Sequence, residues 1–170
     1  MPFIRLVLDS SYVRKSDNTF GQLQETTAGN HYIWNDLTYE LDTFLPPQKI
    51  TELLESDSYR IYLESLVWNG RTLLDNDAFK VLLPGIQNDV NFGNRKSNND
   101  GLLQIVYETY SPNVNFETRG DKGIITLDKQ WLTSKKLRVL FAKMNAATDA
   151  FANSEFGNEC KYTMTLLVEY

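Results

Sequence analysis

Apolar and polar residues alternate through most of this chain, the period-two pattern of strands that bury one face and expose the other. Near the start, Ile4, Leu6 and Leu8 fall on one side, opposite Phe3, Arg5, Val7 and Asp9. Residues 31–41 read as an extended aromatic stretch, with His31, Tyr32, Ile33 and Trp34 leading into Leu37, Tyr39 and Leu41. Over 58–68, Tyr59, Ile61, Leu63, Ser65 and Val67 oppose Arg60, Tyr62, Glu64, Leu66 and Trp68. Shorter strands are predicted at 78–83, stopped by Pro84-Gly85, and at 102–110, with Leu103, Ile105 and Tyr107 facing away from Val106. Two more follow at 124–127 and 137–143. The final run has the clearest alternation: Tyr162, Met164, Leu166, Val168 and Tyr170 share a face. Lys161, Thr163, Thr165 and Glu169 share the other, interrupted by Leu167. A strand of this kind ties its end of the chain into a sheet.

One segment departs from this period. After Pro46-Pro47, Ile50, Leu53 and Leu54 recur at helical spacing, with Glu52 and Glu55 on the opposite side. Proline suits the first helical turn, so a short amphipathic helix is predicted over 48–57. Residues 146–152 read equally as a helix or a loop.

Turn residues punctuate the strands. Asn69-Gly70 and Asn99-Asp100-Gly101 favour the positive φ that tight turns need, and 93–101 reads as an exposed loop tip. The stretches 10–21 and 26–30 are polar connections. Seven or eight strands with one short helix predict a mostly β fold, an antiparallel β-sandwich. The long polar connections favour a single jelly roll over up-and-down hairpins. The expected organisation is one domain over 1–170, with 10–30 a flexible arm or a long loop.

Composition agrees with a domain that folds on its own core. The chain has 170 residues, 42% of them hydrophobic and 23% charged, with nine Phe, nine Tyr and three Trp. Cys160 is the single cysteine, which excludes an internal disulfide and a cysteine-based zinc site and suits a small buried thiol. The net charge of −5 repels phosphates, so direct nucleic-acid binding is not expected. The basic groups Arg95-Lys96 and Lys135-Lys136 with Arg138 are too small to build a groove. No basic region precedes a long apolar core in Met1-Pro2-Phe3-Ile4-Arg5, so no signal peptide is expected. No run is long enough to span a membrane as a helix.

Catalytic chemistry finds little to use. His31, the single histidine, begins a strand-like run, and no nucleophile-elbow pattern surrounds it or Cys160. Asp75-Asn76-Asp77 opens like a calcium loop, but Ala78 and Phe79 follow where glycine and further oxygen ligands are needed. Turn chemistry explains the triplet, and Glu52 and Glu55 belong to a solvated helix face. Nine glycines are scattered singly, so no phosphate-binding loop exists. Tyr32, Trp34, Tyr107 and Tyr110 are able to stack bases or sugars, although aromatics at alternating strand positions are usually core. Arg119-Gly120-Asp121 matches an integrin-binding tripeptide, but a β-turn accounts for it. The expectation is no enzyme, no catalytic residues, no metal and no cofactor.

Three stretches carry a family resemblance. They are Tyr59 to Leu66, an aromatic-rich strand; Phe79 to Ile86, a strand broken by proline; and Leu137 to Phe141, followed by a polar loop over 145–160 and the strand from Tyr162 to Tyr170. In this order they resemble the single jelly-roll capsid proteins, penton-type and minor, of eukaryotic DNA viruses and virophages. The resemblance implies a structural virion component, made in the host cytoplasm, that assembles with other capsid subunits as a homo- or hetero-oligomer. The competing readings are a carbohydrate- or protein-binding β-sandwich module, a hydrolase on a jelly-roll scaffold, and a monomeric host-directed viral inhibitor.

Overall fold

A computed structural model describes residues 1–10, 36–69, 78–86, 101–107, 113–117, 124–143 and 161–170. The strands are β1 (Phe3–Asp9), β2 (Asp36–Glu40), β3 (Tyr59–Asn69), β4 (Ala78–Leu82), β5 (Leu102–Tyr107), β6 (Asn113–Glu117), β7 (Ile124–Thr126), β8 (Lys136–Lys143) and β9 (Lys161–Glu169). Helix α1 spans Pro47–Glu55, and a single turn, α2, spans Gln130–Thr133.

The strands form two antiparallel sheets. One is ordered β1-β9-β3-β6, with β7 also on β3, and the other β2-β8-β4-β5. Their pairing is nested. β1 pairs with β9, β2 with β8, β3 with β6 and β7, and β4 with β5, as in one long hairpin. Two further pairings, β9 with β3 and β8 with β4, roll that hairpin into two layers. The chain is thus a mostly β antiparallel sandwich with one helix longer than a single turn among the described residues, as the alternation predicts.

The core lies between the sheets. Leu6 and Leu8 of β1, Ile61, Leu63 and Leu66 of β3, and Met164, Leu166 and Val168 of β9 meet Leu37, Tyr39, Val81, Val139 and Phe141 of the other layer, all nearly fully buried. Burying one such aliphatic side chain stabilises by about 1.5–3 kcal/mol relative to leaving it exposed. The Phe141 ring meets Tyr162 edge-on at 4.8 Å between centroids, joining the layers. Between them the Tyr39 hydroxyl donates to the Tyr162 hydroxyl at 2.9 Å. The Ser10 hydroxyl accepts the Tyr162 backbone N–H, so this buried polar cluster is bonded to the backbone as well.

One predicted strand needs correction. Unbroken alternation puts Ser65 and Val67 with Tyr59, Ile61 and Leu63. Against β9, however, the register passes from Leu63↔Leu166 to Ser65↔Thr165, so Glu64 is an extra residue. Such a bulge reverses the sidedness of everything beyond it. Leu66 is accordingly buried and Val67 is 49% exposed. The reversal is favoured because it exchanges Ser65 for Leu66 in the core.

Helix α1 begins with Pro47 at its first position and buries Ile50 and Leu53, leaving Glu52 and Glu55 exposed, as its spacing predicts. The Lys129 ammonium donates to the Leu54 carbonyl at 2.7 Å, satisfying a C-terminal carbonyl that the helix cannot bond itself. Gly101 is needed for two reasons. Its φ is +75, and a side chain there would run into the Leu83 carbonyl, while Leu83 donates its N–H to the Gly101 carbonyl. The strand β6 and the turn α2 were not expected from sequence, and the possible helix at 146–152 lies outside the described residues.

Candidate functional site

The outer faces of the two sheets differ. On the β2-β8-β4-β5 sheet, Leu82 and Leu140 stand opposite one another in register and are buried, with Leu102 packed against them. Lys80 is buried as well. That face is thus buried around β4, while Thr38 and Arg138 on it are exposed.

The outer face of β1, β9 and β3 is open, and registers on both sides of β9 place its side chains in rows. Phe3, Glu169 and Arg60 form the first; Arg5, Leu167 and Tyr62 the second; Val7, Thr165 and Ser65 the third; and Asp9, Thr163 and Val67 the fourth. Exposed apolar groups are concentrated here, with Phe3 54%, Val7 52% and Val67 49% exposed. Leu167, the apolar interruption in the polar side of β9, is half-buried between Arg5 and Tyr62 in register.

The charges of this face find partners within it. The Arg5 Nε lies 2.8 Å from Glu64 Oε2 and its Nη2 2.8 Å from Oε1, a two-pronged pair reaching over β9 from β1 to β3. These hydrogen bonds hold the Glu64 carboxyl below its ordinary value and raise the Arg5 guanidinium above its own. The same guanidinium lies 5.0 Å from the Phe3 ring centroid, within cation–π range. Arg60 donates to the Tyr62 hydroxyl at 3.0 Å, and that hydroxyl donates to Glu169 Oε2 at 2.9 Å. Burial is the largest cause raising the Tyr62 hydroxyl above its ordinary value. On the last row the Thr163 hydroxyl donates to Asp9 Oδ2 at 2.9 Å.

A face of paired charges separated by exposed Phe and Val is suited to contact with another macromolecule. Charges already neutralised by neighbours lose less on leaving water than isolated ones, and exposed apolar groups gain by doing so. No group of three or more His, Cys, Asp or Glu able to hold a metal occurs among the described residues.

Most residues weighed for chemistry from sequence are not among the described ones. His31, Cys160, Asp75-Asn76-Asp77, Arg119-Gly120-Asp121, Arg95-Lys96, Tyr32, Trp34 and Tyr110 are outside the described residues, and Tyr107 is described only in its backbone on β5. Lys135, Lys136 and Arg138 are exposed around the start of β8, where Lys136 stands opposite Glu40 and Arg138 opposite Thr38. The open face was missed because a strand's outward residues read as ordinary solvated positions. The available signal was the placement of Phe3, Val7 and Leu167 on sides that alternation assigned to solvent. No helix among the described residues is long and apolar enough to cross a membrane. No protein-family model, curated protein or solved structure matches the chain.

Proposed function

We propose that this chain is a structural subunit of the single jelly-roll kind, a minor or penton-type capsid component that works through protein–protein contacts. The observation that carries the reading is the nested strand order, a long hairpin rolled so that β9 lies between β1 and β3, and β8 between β2 and β4. A jelly roll is built by that rolling. The open face of β1, β9 and β3 supplies a surface for neighbouring subunits, and the net charge of −5 suits a shell element that leaves the genome to other proteins. The work assigned to it is shape and interface, with no catalytic step. Its place is the virion, after synthesis in the host cytoplasm.

Light scattering after size exclusion, over a range of salt and protein concentration, tests this. The expected result is a discrete species several times the 19.6 kDa chain mass. A Val7→Arg, Val67→Arg double variant should keep its fold and shift that species toward monomer. A strict monomer at every concentration would remove autonomous assembly. Should that monomer bind a glycan or one host protein, the rival reading of a binding module would take its place.

A further inference from the structure

Two buried donors at one end of the sandwich have no hydrogen-bond partner among the described residues: the Tyr59 hydroxyl and the Trp131 indole N–H. The two rings meet edge-on, 6.1 Å between centroids and 87° between planes, where the start of β3 faces α2. Both side chains are nearly fully buried, 2% and 4% exposed. A donor sealed from water without a partner destabilises the closed state relative to any state in which water reaches it.

The segment that carries Trp131 is short and is strained at its exit. Helix α2 is a single turn whose first N–H, that of Gln130, donates to the Asp128 carboxylate at 2.8 Å. It is preceded by Leu127, an apolar side chain 61% exposed. Its exit passes through Lys135 at φ 54, the left-handed region that costs a non-glycine residue energy. The segment is held by the burial of Trp131 and Leu132, the bond from Lys129 to the Leu54 carbonyl, the bond from the Asp128 N–H to the Thr126 hydroxyl at 2.9 Å, and the bond from the Leu41 N–H to the Lys135 carbonyl at 2.8 Å, among others.

We propose that residues 127–135 are a plug that withdraws from the end of the sandwich while both sheets stay intact. Withdrawal hydrates both orphan donors, frees Lys135 from its left-handed conformation and uncovers Tyr59 with the adjoining end of the core. It also breaks bonds to the rest of the chain, among them the one from the Asp128 N–H to the Thr126 hydroxyl. The Leu54 carbonyl loses the Lys129 ammonium, and the Leu41 N–H loses its acceptor.

Native-state hydrogen exchange on the full chain tests this directly. The amides of Leu132 to Lys135 should exchange through an opening at least about tenfold more frequent than the one that releases Leu166 in β9. The Leu41 amide should follow the plug, although it lies more than eighty residues away in sequence, because its acceptor is Lys135. Tyr59→Phe removes one orphan donor and should slow plug exchange by about tenfold. Lys135→Gly, which suits the positive φ, should slow it less. Equal protection of the plug and Leu166 would overturn the proposal. So would fast plug exchange that neither variant slows, or a Leu41 amide that exchanges independently of Leu132 to Lys135.

Discussion

Tyr39 and Tyr59 are both buried tyrosines of the same core, yet their hydroxyls have opposite fates. The Tyr39 hydroxyl is bonded to Tyr162 from the other sheet, beside the Phe141 ring. The Tyr59 hydroxyl faces the Trp131 corner without a partner. Burial raises both above the ordinary tyrosine value, Tyr59 to about 12 with the Asp128 charge adding to it. Hydrophobic burial treats the two rings alike. What separates them is the neighbour: the facing sheet brings a second hydroxyl to Tyr39, whereas a single helical turn brings only an indole ring to Tyr59. The Tyr39–Tyr162 contact is thus satisfied, and the Tyr59–Trp131 contact is not.

Removing the aromatic plug should have the largest effect. Trp131→Ala should destabilise the chain by about 3–5 kcal/mol in urea unfolding, the range for truncating a buried tryptophan. Tyr39→Phe comes next, at about 1–3 kcal/mol, because it takes a partner from the buried Tyr162 hydroxyl. Adding Tyr162→Phe should restore part of that loss, since apolar groups of the same shape then face each other. Tyr59→Phe should go the other way and stabilise by about 1 kcal/mol. Equal losses for Tyr39→Phe and Tyr59→Phe would erase the contrast.

Alkaline unfolding sharpens the same comparison. A group with a raised folded value holds its proton in the native state after the unfolded chain has released it. Tyr59 therefore contributes stability below its ordinary value of 10.0 that is lost as pH rises toward about 12. The Tyr59→Phe variant should lose less stability across that window than the wild type in unfolding titrations.

The smallest effect belongs to the open face. Glu64 has a lowered value, so its pairing with Arg5 is fully present above its ordinary value of 4.5 and fades as pH falls through the lowered one. Glu64→Gln should flatten that part of the acid profile slightly, and added salt should reduce the difference, as expected for an exposed pair.

Much of the sandwich was legible because burying one face of a strand imposes a period of two. Leu6 and Leu8, or Tyr162, Met164, Leu166 and Val168, disclose their burial without any knowledge of their partners. Helix α1 was legible for the same reason at a longer period, helped by Pro47. The bulge at Glu64 was not, since a single inserted residue is visible only against the register of β9. Nor was α2, because four residues carry too little pattern and Trp131 and Leu132 are held there by the core beneath them.

Sequence alone determined that this chain alternates, buries one side of each long strand, places one amphipathic helix after Pro47, and cannot build a disulfide framework. These are local properties, set by spacing and by residue type. Tertiary structure decided which strands are neighbours, which outward face stays open, and which buried polar groups find partners. Each of those depends on residues far apart in the chain meeting at hydrogen-bond distance, as Arg5 meets Glu64 and Tyr39 meets Tyr162, and no local pattern encodes that meeting.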